Sequence, residues 1–228
     1  MPGRRSIGSR PGLRGDEQRP RARLAAVPDH DHDHDADHIH GQVLEQEPAE
    51  TEEELERKAR RLIALSRIRQ YGDPALRMKA RSVERFDDDL RRLVERMTEL
   101  MHEAQGVGLA ATQIGVLRRV FVFVDAGEDR VLVNPTIATA STTSAIDDEG
   151  CLSLREILVP VERQVAVTLE GLDEKGEPVR LELEEPAARI VQHELDHLDG
   201  VLILDRTDDE SRRTALAKLR PQPVLGAR

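Results

Sequence analysis

Two histidines four residues apart enclose an acid in the string Gln192-His193-Glu194-Leu195-Asp196-His197. On an α-helix, residues i and i+4 stand one above the other, so imidazoles at this spacing can reach the same ion. Glu194 stands beside the first of them. A carboxylate near a metal ion can take a proton from water and later hand it to a leaving amine, which is the acid–base work of amide hydrolysis. The competing reading is a solvated polar helix that happens to carry two histidines. Apolar Ile190, Val191, Leu195 and Leu198 around the motif count against it.

A catalytic ion with open coordination takes three protein ligands, so a third donor must come from elsewhere in the chain. Cys151, the single cysteine, is the obvious candidate. It lies in Glu149-Gly150-Cys151-Leu152-Ser153, where Gly150 permits close backbone approach and the sulfur would ligate as thiolate. A lone cysteine is more often an inert buried side chain, and here the two histidines reverse that reading. A peptidase using His193-Glu194-x-x-His197 would need a third ligand downstream, and no histidine follows His197. A cysteine nucleophile would need a separate base, and none is indicated.

A third stretch, Gly106-Val107-Gly108-Leu109-Ala110-Ala111-Thr112-Gln113, carries glycines that suit backbone approaching a ligand, and the Gln113 amide can donate a hydrogen bond. It lacks the Lys-Ser/Thr pair of a phosphate loop. Alone it reads as a glycine-bearing turn between a helix and a strand.

The elements that must position these groups follow from periodicity. Leu90, Leu93, Val94, Met97, Leu100 and Met101 form one helical stripe over 87–103. Strands are expected at 119–125, 130–135, 163–173 and 179–185, where β-branched residues concentrate or apolar and polar residues alternate. Helical character returns at 187–198, with Pro186 as a start signal and Gly200 as a stop, and a final helix is expected at 211–219. Thr51 and Glu54 have capping-box spacing ahead of a short exposed helix. Helices and strands are segregated, without βαβ alternation. The expected class is α+β, with antiparallel sheets around a central metal-binding helix and flanking N- and C-terminal helices.

Composition sets the boundaries. Residues 1–60 are dominated by Arg, Gly, Pro, Asp, His and Glu and are read as a disordered leader, followed by one catalytic domain at 61–220 and a flexible tail at 221–228. The alternating His and Asp residues of 29–40 could loosely hold transition metals, although a solvated polar tract is the simpler reading. The net charge of -10, with no basic stripe in 63–228, counts against nucleic-acid binding by the body of the protein. No apolar run is long enough to cross a bilayer, and no apolar segment follows the N-terminal arginines as a signal peptide requires. Asp16, Glu17 and the interrupting Pro and Gly residues count against an organellar transit peptide. A bacterial cytoplasmic location is the default.

Taken together, GVGLAATQ, EGCLS and QHELDH resemble, in identity and order, the three signature motifs of peptide deformylases. The resemblance extends through IRQYGDPALR at 68–77, VLVNP at 131–135 and LDGVLILDR at 198–206. It implies that Cys151, His193 and His197 hold one divalent metal, commonly Fe(II), with zinc, nickel or cobalt as substitutes. Glu194 would shuttle the proton, and Gln113 with the backbone N–H of Leu152 would donate to the formyl oxygen. Gly108 and Gly150 would offer backbone contacts to an extended peptide, and Val107 and Ile190 would border an apolar methionine pocket. The implied reaction is removal of formyl, as formate, from nascent chains that begin with formylmethionine. Transient ribosome association is a further expectation. Many members carry a proline two residues after the serine of the second motif, where this chain has Arg155. A deformylase-like protein with altered substrate, or a noncatalytic metal- or partner-binding role, is the alternative.

Overall fold

The computed structural model describes residues 51–219. Thr51 opens helix α1 (Glu52–Ser66) with the expected capping box: its hydroxyl accepts from the Glu54 N–H at 3.2 Å, and the Glu54 carboxylate accepts from the Thr51 N–H at 2.9 Å. Good helix formers continue without a breaker through Leu65, so the helix runs across the expected leader boundary at 60/61. Of its residues only Ala64 and Leu65 are buried. The remainder of the expected leader, with its Asp/His tract, and the expected tail lie outside the described residues.

Helix α2 (Asp88–Glu103) is capped by Asp87 and buries Leu90, Leu93, Met97, Leu100 and Met101, as the stripe predicts. It covers one face of a five-stranded antiparallel sheet of order β1-β2-β3-β6-β7. The strands are β1 (Gly108–Ala110), β2 (Val120–Asp125), β3 (Glu128–Ala140), β6 (Ala166–Leu172) and β7 (Pro178–Glu184). Helix α3 (Ala187–Leu198) covers the other face. Alternation along β2 serves both layers: Val120 and Val122 join the α2 cluster, whereas Phe121 and Phe123 pack with Val191, Leu195 and Leu198 of α3. A strand buried on both faces has no polar side, which explains the unbroken apolar run from Val120 to Val124.

A second, two-stranded sheet pairs β4 (Ser144–Cys151) with β5 (Leu154–Gln164). It corrects the expected strand at 163–173, because Arg163 and Gln164 end β5 and the chain changes sheets at Val165 before entering β6. Leu154, Ile157, Val159 and Val161 pack beneath this ribbon against Leu202, Ile203, Leu204 and Ala215, the last from α4 (Asp209–Leu219). Gly200 ends α3 at φ +75°, and a Cβ there would lie 2.6 Å from the Arg77 carbonyl oxygen. Only glycine fits. The architecture is the expected α+β class.

Candidate metal centre

Helix α3 presents its motif to the interior: Glu194 and His197 are buried, and His193 is partly buried. Four-residue spacing brings the two imidazoles to a centroid separation of 4.9 Å. Cys151 closes β4 just before a tight turn, which carries its sulfur to within 3.2 Å of His197 Nε2. One ligand atom from each of Cys151, His193 and His197 lies within 4.8 Å of the others. Cys151 of a β-strand and two histidines of helix α3, at least 42 positions further along the chain, thus converge on one point.

The surroundings suit a thiolate. The Ser153 N–H reaches Sγ at 3.4 Å and the Gln113 amide nitrogen reaches it at 3.7 Å. The Gln113 side chain is oriented by the backbone, because its oxygen accepts from the Ala110 N–H at 2.8 Å. Its amino group is therefore turned toward Cys151 and the Ser153 hydroxyl, the latter at 3.2 Å.

Behind the donors lies a buried charge chain that the sequence reading missed. His193 Nδ1 is 3.0 Å from Glu149 Oε2, leaving Nε2 as the imidazole's other nitrogen. Arg163 donates to both Glu149 oxygens at 2.9 and 3.0 Å, and Arg189 adds a bond at 3.0 Å. Arg163 also donates to Asp196 at 2.6 Å, and Arg206 grips Asp196 through bonds of 3.0 and 2.6 Å. Burial alone would raise the Glu149 pKa, but the hydrogen bonds from His193 and Arg163 outweigh it and bring it down to about 2. The available signal was contextual: Glu149 adjoins Gly150 in the second motif, and Asp196 sits among apolar neighbours on α3.

Glu194 differs from Glu149. Burial pushes its pKa up to about 7, against the opposing charge of His193, and its Oε2 has no hydrogen-bond partner among the described residues. Backbone approaches this carboxylate closely, since a Cβ on Gly108 would stand 2.4 Å from Oε1. For His197, burial and then the charge of His193 hold the pKa well below the usual imidazole value, so the ring is neutral and able to donate a lone pair. Burial alone would lower the His193 pKa, but hydrogen bonds to Cys151 and Glu149 outweigh it and hold it well above the usual imidazole value, so this ring gives up a proton when it ligates. A thiolate and two imidazoles then form a donor set suited to a borderline divalent ion. The residues fit a metal.

A cleft of about 660 Å³ opens above the donors. Val107, Gly108, Gln113, Gly150, Leu152 and Ile190 all line it, together with Cys151, His193 and Glu194. His197 is the one expected site residue beneath its wall rather than on it. β1 forms one edge of the five-stranded sheet at this cleft.

The polypeptide deformylase family model matches residues 65–213. A peptide deformylase of Thermotoga sp. (strain RQ2) is 46% identical over 154 residues, covering 67% of this chain and 93% of the relative. A peptide deformylase of Acidothermus cellulolyticus is 48% identical over 164 residues, covering 72% and 91%. Among solved structures, the peptide deformylase of Thermotoga maritima is 44% identical, with a TM-score of 0.61 over 62% of this chain and 96% of that one. A peptide deformylase of Synechococcus elongatus, solved in complex with actinonin, is 38% identical with a TM-score of 0.64, covering 66% and 84%. With the matched region spanning the donors, the charge chain and all of the cleft but its Arg61–Leu62 end, this chain belongs to the polypeptide deformylase family.

Proposed function

We propose that this enzyme removes the N-formyl group from N-formylmethionyl peptides and releases formate. The observation that carries the reading is the convergence of Cys151, His193 and His197 beside a buried, partly unpartnered Glu194 carboxylate at the base of a cleft bordered by an edge strand. A divalent ion held by these three ligands, with Fe(II) the proposed native ion and zinc, nickel or cobalt as substitutes, supplies Lewis acidity for water and for the formyl carbonyl.

The chain's own groups do the rest. The Glu194 carboxylate takes the proton of the attacking water and delivers it to the departing amine, a role suited to a carboxyl whose pKa burial has raised toward neutrality. The Gln113 amide, fixed by Ala110, and the Leu152 N–H donate to the formyl oxygen as negative charge grows on it. The substrate backbone extends beside β1 and meets Gly108 and Gly150, in the manner of an added strand. Val107 and Ile190 border the methionine side chain. The partners are nascent chains, met during transient ribosome association in the bacterial cytoplasm.

The test is formate release from a formyl-Met peptide by anaerobically purified, Fe(II)-loaded protein. Activity is expected to vanish in Glu194→Ala and on an acetyl-Met peptide. A fully metallated wild-type protein that releases no formate would overturn the reading.

A further inference from the structure

Helix α1 places Arg61 and Leu62 ahead of the region that the family model matches, yet both line the same cleft as Glu194 and His193. The helix is seated there by its last two turns. Arg61 Nε donates to the Ala104 carbonyl at 3.2 Å, and Ala64 and Leu65 are buried in the cluster that holds Ala104 and Met101. From Ala104 the backbone runs through Gly106 to Gly108, where it meets the Glu194 carboxylate. The α1 contribution therefore lies at the end of the β1 side of the cleft remote from Glu194. Leu62 is 61% exposed, so its side chain is open to a ligand in the cleft, and a ligand that covered it would remove apolar surface from water.

From this placement, and resting on the deformylase reading above, we infer that α1 supplies an added subsite for the peptide residues that follow formylmethionine, with Leu62 as an apolar wall for a side chain beyond the second residue. A peptide with its formyl group at Glu194 and its backbone along β1 runs toward Ala104 and α1. Arg61 is the positioning residue, since its bond to Ala104 fixes the turn of α1 that carries Leu62. The subsite favours apolar side chains and adds binding energy only to substrates long enough to reach it.

The experiment compares formyl-Met-Ala with formyl-Met-Ala-Leu-Ala in the full-length, metal-loaded protein and in Leu62→Asp and Leu55→Asp. Leu55 is exposed on the same helix but outside the cleft, so its variant controls for effects on α1 itself. In Leu62→Asp the ratio of kcat/KM for the longer over the shorter peptide falls by about fivefold, through KM, consistent with loss of a partly buried apolar contact. In Leu55→Asp the ratio stays at the wild-type value. A wild-type ratio in Leu62→Asp, or an equal fall in both variants, overturns the subsite while leaving the deformylase reading intact. If wild-type protein hydrolyses neither peptide, the deformylase reading fails and the subsite with it.

Discussion

Glu149 Oε2 lies 3.0 Å from His193 Nδ1 while the same carboxylate is clamped by two N–H groups of Arg163. A carboxylate behind a ligating histidine fixes the ring's tautomer and raises its basicity. Glu149→Gln keeps the shape and removes the charge. Metal affinity should fall by about 10- to 100-fold, read by competition against a chromophoric chelator. Unchanged affinity would mean that the imidazole is oriented by something other than Glu149.

The acid limb of stability should carry the same signature in metal-free protein. The Glu149 pKa is depressed from 4.5 to about 2. A depressed carboxylate contributes stability that is complete above its unfolded value and is lost as pH falls through its folded value. The window is therefore between about 4.5 and about 2, and the loss is about 3 kcal/mol. Urea unfolding at stepped pH would show it, and Glu149→Gln should flatten that limb.

Arg163→Met tests the chain from its centre. It strips the guanidinium from between two buried carboxylates, those of Glu149 and Asp196. Breaking a buried pair leaves uncompensated charge and should cost about 3–5 kcal/mol. A loss under about 1 kcal/mol, the range of exposed pairs, would show that Arg189 and Arg206 suffice to hold the acids.

Glu194 should titrate near neutrality in metal-free protein, at about 7 by reason of its burial. Carbon-13 NMR of labelled glutamate carboxyls would follow it, with Glu194→Gln assigning the signal. Loading zinc places a cation beside the carboxylate and favours its charged form, so the midpoint should move down. A midpoint near 4.5 in metal-free protein would contradict the buried environment.

Glu156 stands at φ +60°, in the short bulge where β5 leaves its register with β4. A side chain there is strained, and Glu156→Gly should raise stability by about 1 kcal/mol. The site is exposed and lines the substrate cleft next to Arg155, so the same variant reports whether the backbone beside the Leu154–Arg155 departure constrains peptide entry. An unchanged or lowered unfolding midpoint would locate no strain in this bulge.

The residues that touch the site centre were legible because their types are rare and their spacing geometric. His193 and His197 needed only the helical repeat, and Cys151 was the one thiol in the chain. The long helices and β2 were equally plain, since deep burial leaves a periodic or continuous apolar signal. The β4–β5 ribbon was not. Its first strand carries Asp147, Asp148 and Glu149 in succession, a pattern dominated by the needs of solvent and of the buried charge chain rather than by alternation. Short β1 is held by pairing with β2 and by its place between α2 and α3, which no three-residue window can reveal. The Arg163–Asp196 contact joins residues 33 positions apart on different elements, so neither residue announces its partner. The cleft role of α1 was hidden for the same reason, because its sequence describes only a capped polar helix.

The two sheets share no strand, and the donor set straddles them: Cys151 belongs to the β4–β5 ribbon, whereas His193 and His197 belong to the helix that packs on the five-stranded sheet. An ion bound there is therefore also a crosslink. It ties a loop that starts at Cys151 and returns at His193, and it stabilises the native state in proportion to the logarithm of its free concentration. Oxidation of Cys151 would thus do more than silence the chemistry, because it would cut the ribbon's mechanical tie to the rest of the fold.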